Sequence, residues 1–564
     1  MHLRNLRTNR LMVTAFWRSR SIQCWGLGAA LGCFTLPSIA QAPEMWPAGL
    51  RGASQRIEAI KAFAGGITRN DAEAIDDGWL GRKGWGRSIR RAEKDAGLSK
   101  DPQAFGLVLR TLYASYPSLH SHMELRADID YRTTFGAPYL PFTMKARIVG
   151  PGIVPDAVFI SSVSDDQEGL SGARLAVGDQ VKALNGRPMS YWLSRTATVC
   201  RRNSRWQCYD DFDKQFRNGL LGWDPRQTLR IESIRDGQQE TLAYVPEAVP
   251  TRSDQRARTG CGEDGTSYQG FEPVYTGWNL CAFRRAAEPG VEIWRLKSFH
   301  YAENATVDSP KAEVARFWEQ HWKAAAPSVR TLIIDVSGNG GGDVPLAWYS
   351  LIFDKPYQEQ YAQYRRLQAY DDPAVASEIP EDPAHANWLA AVRHGDAEAW
   401  NKIGGYLPPV PMFCADEDMN CDGKLVMPKL SGFTGDVSLI IDDNCVSSCS
   451  GFSWNILNKL GTRAAAFGLP DSGDSNFRRL PLKLFYSRGI WSTTLGTSSI
   501  PQENPLATVS VMVTRTTTSD GHVISGKSLP VRVAVNRRWN DTANSWTKRA
   551  LDAALESKRD PAKK

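Results

Sequence analysis

Apolar residues recur along this chain at three different spacings, and each spacing predicts a different kind of element. Between residues 43 and 130, Ile57, Ile60, Phe63 and Ala64 fall at helical intervals, as do Phe105, Val108, Leu109 and Leu112. Steps of three and four place such side chains on one helix face. Pro and Gly punctuate the segments between. Further on the runs shorten, and Val158-Phe159-Ile160 and Val181-Lys182-Ala183-Leu184 predict short strands. In the second half the runs become continuous. Glu292–Leu296, Thr331–Val336 and Val437–Asp442 predict strands buried on both faces, with a helix over Ala312–Ala325 between the first two. Strands followed by helices predict a layered α/β domain. Residues 355–430, rich in Pro, Asp and Ala, read as an insertion into it.

Two of these strands end in loops suited to chemistry. Thr331–Asp343 reads TLIIDVSGNGGGD, and its glycines let backbone N–H groups approach a substrate oxygen closely. Val437–Trp454 reads VSLIIDDNCVSSCSGFSW, which offers Ser447 at a strand-to-helix turn. A hydroxyl there can attack a carbonyl if a base takes its proton. The plainer role for Ser447 is a helix N-cap, with its oxygen accepting a first-turn amide.

The pair of segments resembles the carboxyl-terminal processing (tail-specific) and tricorn-like serine peptidases. Asp335-Val336-Ser337-Gly338-Asn339-Gly340-Gly341-Gly342 stands in that family's D-L-R-G-N-x-G-G-like pattern, with Ser337 where an arginine is usual. Ser447-Ser448-Cys449-Ser450 stands in its S-A-x-E pattern, with Ser450 in the glutamate's place. The resemblance implies Ser447 as nucleophile, Ser448 as the alternative, and an oxyanion hole from the N–H of Ser448 and one from Gly340 or Gly341. Tail-specific members place a lysine base about 25 residues on, but the matching stretch, Gly468–Asp474, carries Asp474 there. The tricorn-like branch takes a histidine from ahead of its peptide-binding module. His120, or His122 beside it, lies at that point in the order, in Pro117-Ser118-Leu119-His120-Ser121-His122. Ser525 and Gly526 stand where that branch has a glutamate, so the group orienting the base is open among Asp474, Asp520 and His522.

The resemblance also implies an α/β multidomain fold. It has a helical N-terminal domain (43–134), a PDZ-like β-rich domain (135–250) and a crotonase/ClpP-like β/α spiral catalytic domain (265–560). Gly169–Gln180 followed by Val181–Gly186 resembles the glycine–aspartate turn and strand of PDZ modules, which bind extended peptides at a sheet edge. The activity implied is hydrolysis of peptide bonds through an acyl-enzyme. An inactive peptide-binding protein and a hydrolase of another acyl substrate remain open, because a fold does not determine chemistry.

Charge and cysteines place the chain. Five arginines precede an apolar stretch, Cys24–Pro37, and small residues around Ala40, so residues 1–42 read as a signal peptide. Its removal takes five arginines and no acids, lowering the formal charge from +7 to +2. Nucleic-acid binding therefore gains no support, and no later stretch is apolar for long enough to span a membrane. The remaining eight cysteines fall into neighbouring pairs, Cys200/Cys208, Cys261/Cys281, Cys414/Cys421 and Cys445/Cys449, which predict disulfides in a periplasmic or secreted protein. Thiolate–histidine spacing for zinc is missing. Asp416–Gly423 imitates the start of a calcium loop, but Lys429 stands where the closing glutamate belongs, so it reads as a solvated acidic turn. No metal or cofactor is expected. The expected partner is a peptide or protein substrate.

Overall fold

The computed structural model describes residues 46–72, 74–77, 80–135, 137–148, 154–164, 170–171, 174–201, 205–249, 261, 267–301, 310–342, 346–357, 360–378, 383–412, 430, 433–473, 478–496, 504–518, 521–538 and 540–559. The expected signal peptide, the Cys414/Cys421 pair and the acidic turn at 416–423 lie outside the described residues.

The first apolar spacing forms helices α1 (Ala53–Asn70), α2 (Gly81–Leu98) and α3 (Pro102–Tyr113). Helix α3 starts where its sequence allows. The Asp101 carboxylate accepts the Ala104 N–H at 2.6 Å, and Pro102 occupies the first turn, where no N–H is needed. Ile60, Phe63 and Ile67 of α1 pack with Phe105 and Leu109 of α3. Their core continues into Leu482, Leu484, Val509 and Val511 of a four-stranded antiparallel sheet far along the chain. Each such fully buried side chain contributes about 1.5–3 kcal/mol. Helix and sheet meet so closely that a Cβ on Gly66 would lie 2.7 Å from Thr493 Oγ1. Within the sheet, Arg479–Ser487 and Ile490–Leu495 form a hairpin. Its two turn residues, Arg488 and Gly489, both have positive φ (51° and 84°), the condition for the tight turn that matches strand twist. Tyr364, Tyr370, Trp400 and Val410, from the segment expected as an insertion, belong to this same core.

The second spacing builds an antiparallel sheet. Its strands run in the order Phe142–Ala146, Val158–Val163, Gln180–Leu184, Leu229–Arg235, Gln238–Tyr244, Leu170–Ser171. Val158, Ile160, Val181 and Leu184 face a core that also holds Trp192, Phe212 and the stacked pair Phe216–Trp223, 4.8 Å between ring centroids.

The third spacing builds a seven-stranded sheet. It comprises β1 (Glu272–Thr276), β2 (Leu280–Arg284), β3 (Val291–Leu296), β4 (Thr331–Asp335), β5 (Asp436–Ile441), β6 (Ala464–Gly468) and β7 (Val533–Ala534), in that spatial order. The first three pair antiparallel, and from β3 onward all pairings are parallel. The continuous apolar runs follow from burial on both faces. Leu332, Ile334, Leu439 and Ile441 face a core shared with Trp294 and Trp322. Ile333 and Ile440 face Trp546 and Leu551 on the opposite side, both from helix Ala543–Arg559. The helix expected over Ala312–Ala325 is present, with one π turn at Trp318–Trp322. Because Asp335 pairs with Ile440, the loops leaving β4 and β5 emerge side by side at the carboxyl ends of parallel strands, where open α/β sheets commonly bind ligands.

Candidate active site

Strand β5 ends at Ile441, and the chain reaches helix α4 (Ser448–Leu460) through six residues. Cys445 and Cys449 are bridged across that turn. Between them Ser447 adopts φ 60°, ψ −127°, a region that only glycine enters freely. Holding a serine there costs about 1–3 kcal/mol. The bridge, the Gly451 N–H to Ser447 carbonyl bond (3.0 Å) and the Cys449 N–H to Val446 carbonyl bond (3.2 Å) hold the turn in place. Ser447 occupies the N-cap position, yet its side chain makes no capping bond. The plainer role weighed for it is not realised, and its half-buried hydroxyl stands clear of the helix amides.

The glycine loop lies directly against this turn. Its backbone is organised by carboxylates and one carboxamide: Asp335 Oδ1 accepts the Ser337 N–H (2.9 Å), Asp442 Oδ1 accepts the Gly338 N–H (2.9 Å), and Asn339 Oδ1 accepts the Gly341 N–H (2.9 Å). Asn339 is fully buried and donates its other end to the Leu296 carbonyl (3.1 Å). Gly341 has φ +86°, and a Cβ there would lie 2.7 Å from the Val446 carbonyl oxygen and 2.8 Å from Ser447 Cβ. This closeness makes Gly341 a spacer. Of the two glycines offered as alternatives for the oxyanion donor, Gly341 already gives its N–H to Asn339 Oδ1. Ser448 is similarly occupied at its side chain, donating from Oγ to the Gly342 carbonyl at 2.8 Å.

Gly341→Ala should therefore act on the site as well as the fold. The methyl group would drive into Ser447 at a φ unfavourable for alanine. We expect a loss of about 1–3 kcal/mol in urea unfolding and, in the folded protein, at least about a tenfold fall in serine labelling.

The family-like loop has Ser337 where an arginine is usual, and the structure supplies a guanidinium from elsewhere. Arg295 on β3 donates to the Ser337 carbonyl (2.6 Å) and Asp335 Oδ1 (3.3 Å), while Tyr268 donates to Asp335 Oδ2 (2.6 Å). Burial, then the neighbouring charge of Asp443, pushes the Asp442 pKa up, and the Arg537 guanidinium opposes that shift while bonding to Asp442.

The two histidines sit on a separate segment. His122 is exposed, with Nδ1 3.0 Å from Ser510 Oγ, and its carbonyl accepts the Ser510 N–H at 2.9 Å. His120 is half-buried, and its carbonyl accepts from Arg479 at 2.6 Å. The Arg201 guanidinium donates to the carbonyls of Ser118 (2.9 Å) and Ser121 (2.5 Å), clamping the segment on both sides of His120.

The described contacts then lead toward Ser447. Arg201 adjoins the Cys200–Cys208 bridge, and Gln207 on its other side donates to the carbonyls of Asp471 (2.8 Å) and Pro470 (3.2 Å). Asp471 is fully buried. It accepts from Ser450 Oγ, three residues past Ser447, and from the Leu529 N–H at 2.7 Å. Its neighbour Ser472 donates its N–H to the Cys445 carbonyl (3.1 Å). The structure thus packs Gly341, Ser447 and Ser448 together directly and joins the His120 segment to them through the 200–208 clip.

Of the groups left open to orient the base, Asp474 and Asp520 lie outside the described residues, and His522 is exposed with its N–H on Thr518 Oγ1 (3.0 Å). Ser525 Oγ accepts the Thr516 N–H, an internal role. Sequence reasoning missed Arg295, Asn339 and Asp471. Asn339 alone carried a signal, as the polar residue among the loop glycines. Among the described residues no group of three or more His, Cys, Asp or Glu is placed to hold a metal ion.

No protein-family model matches the sequence, and no curated protein matches it at a significant level. Solved structures do. The structure of mature CPAF complexed with lactacystin aligns with a TM-score of 0.59 at 13% identity, covering 90% of this chain and 99% of that one. Mature CPAF alone aligns at 0.57 and 14% identity, covering 89% and 96%. The photosystem II D1 C-terminal processing protease covers 85% of this chain and 93% of its own at 13% identity, but its TM-score of 0.28 is too low to carry weight. These neighbours are tail-specific serine peptidases, the family that the two loop segments resemble. At such identities the likeness establishes the fold: this chain has the mixed α/β architecture of CPAF over nearly its whole length.

Proposed function

We propose that the chain is an exported serine peptidase in which Ser447 attacks the substrate carbonyl. One observation carries the reading: a serine held at φ 60°, released from capping and pressed against a glycine loop at the carboxyl ends of two parallel strands. Strained strand-to-helix turns present nucleophiles in this manner. The fold shared with CPAF supports it.

In this reading His120 takes the Ser447 proton and returns it to the leaving amine. The N–H groups of Gly340 and Ser448 receive the oxyanion, and the N-terminus of α4 adds a favourable field. The sheet of residues 142–244 serves as the PDZ-like module that captures peptide. The seven-stranded sheet with its helices forms a crotonase/ClpP-like catalytic domain, and the segment that follows α3 carries the base. The disulfides Cys200–Cys208, Cys261–Cys281 and Cys445–Cys449 fit an oxidising compartment, periplasmic or extracellular.

A second reading, peptide binding without turnover, draws on Ser525 and Gly526 standing where the tricorn-like branch has its acid. Fluorophosphonate labelling of the oxidised protein separates the two. Under the proposal wild type labels, Ser447→Ala does not, and His120→Ala loses labelling by about a hundredfold or more. A folded wild type that does not label would overturn it in favour of the second.

A further inference from the structure

A cavity of about 340 Å³ lies away from Ser447, between α2, α3 and the end of helix Met189–Thr196. Two guanidinium groups, Arg91 and Arg195, line it, together with the Asp95 carboxylate. Among the described residues none of the three forms an ion pair. Arg91 donates to Thr198 Oγ1 at 2.7 Å. Arg195 reaches only the Tyr191 hydroxyl, at 3.4 Å, and its Nε is buried without a partner. Burial, and after it the charge of Arg195, lowers the Arg91 pKa, while burial raises that of Asp95. Arg195 has a shaped seat: Gly222 (φ +92°) leaves it room, since a Cβ there would lie 2.7 Å from its terminal nitrogen, and the Tyr191 ring lies 5.7 Å away. The remaining lining carboxylate, Asp224, is occupied by Arg226 at 2.7 Å.

Two like charges converging on one half-buried cavity oppose each other and are costly to desolvate, so the empty arrangement is electrostatically incomplete. We propose that this cavity binds a small organic monocarboxylate with an apolar body, its carboxylate on Arg91 and Arg195. The charge count selects the class. Two arginines and Asp95 leave one net positive charge, which a carboxylate neutralises and a phosphate dianion would overshoot. Guanidinium forks suit the planar carboxylate. Leu107, Val108 and Leu112 give the wall for the apolar part. The cavity falls at the small end of ligand pockets, which limits the ligand to a short chain.

The test uses the full protein at constant ionic strength, with 4-methylpentanoate as probe and its neutral amide and inorganic phosphate as controls. Near ten times its dissociation constant the carboxylate should raise the melting temperature by about 2 °C. The amide and phosphate should not, and Arg91→Gln and Arg195→Gln should each remove the shift. Each variant should also melt higher than unliganded wild type, because it relieves the repulsion. No shift with the carboxylate, an equal shift with the amide or phosphate, or a shift surviving in both variants would overturn the proposal. Variants that melt well below wild type would make the arginines structural and overturn it equally. None of these readouts depends on Ser447 being a nucleophile.

Discussion

Ser447→Gly is expected to yield a protein that is more stable than wild type and inactive. Ser447 sits at φ 60°, ψ −127°, where glycine meets no Cβ penalty. Its side chain makes no cap, so removal forfeits no hydrogen bond to the helix. Relief of the strain should raise unfolding stability by about 1 kcal/mol, less than the full cost because glycine also gains entropy when unfolded. Hydrolysis and labelling should fall by at least about a thousandfold, since loss of the nucleophile leaves only binding and oxyanion stabilisation. Ser447→Ala is the control: equally inactive, but without the gain, because alanine keeps the strained Cβ. Chemical denaturation of the three proteins under oxidising conditions checks this. If glycine stabilises no more than alanine, the turn is not strained. If both variants retain hydrolysis, Ser447 is not the nucleophile.

That such a serine could be picked from the sequence reflects how local its signal is. A strand buried on both faces must be a continuous apolar run, so Thr331–Asp335 and Asp436–Ile441 stood out, and with them the loops they feed. Neighbouring cysteines also proved sufficient for the three described bridges. What escaped was non-local. Arg295 takes up the carbonyl of Ser337 from another strand, and nothing in the loop's own sequence announces it. The core joining α1–α3 to residues 480–513 is invisible to periodicity, which reports a buried face but not the surface it meets. One miss did carry a signal. Arg479–Leu484 alternates, burying Leu480, Leu482 and Leu484, and its strand runs on through Ser487 to an Arg-Gly turn, the pattern of a hairpin. The choice between the Gly340 and Gly341 amides lay beyond the sequence for a different reason. A glycine-rich loop shows that backbone can approach a ligand, but not which N–H groups its own side chains have already taken.

Asp471→Asn should weaken the pH dependence of stability without unfolding the protein. Asp471 is fully buried, and burial raises its pKa from 3.8 to about 6 against the opposing bonds from Ser450 and Leu529. An acid whose folded pKa lies above its unfolded value binds more protons in the native state between the two. Its contribution is therefore fully present below about pH 4 and is lost as pH rises to about 6. A shift of about two units corresponds to roughly 3 kcal/mol. Asp71 behaves alike, buried on Tyr116 and raised to about 6, and Asp442 and Glu313 are raised in the same direction. Wild-type stability should accordingly fall between pH 4 and 6, and the asparagine variant should lose about 3 kcal/mol less across that window, the fall being reduced and not abolished. At neutral pH asparagine keeps an acceptor for Ser450 Oγ but leaves one donor unpaired, the Leu529 N–H or its own amide, at about 1–3 kcal/mol. That offsets the relief of ionisation, so overall stability should change little. Activity should still drop several-fold, because Asp471 ties α4, three residues past Ser447, to Leu529 and to the clip that holds the His120 segment. Asp71→Asn should flatten the same pH window while leaving labelling intact. A pH profile unchanged in Asp471→Asn would mean that its carboxylate stays ionised in the native state, and that Ser450 is anchored by a charge after all.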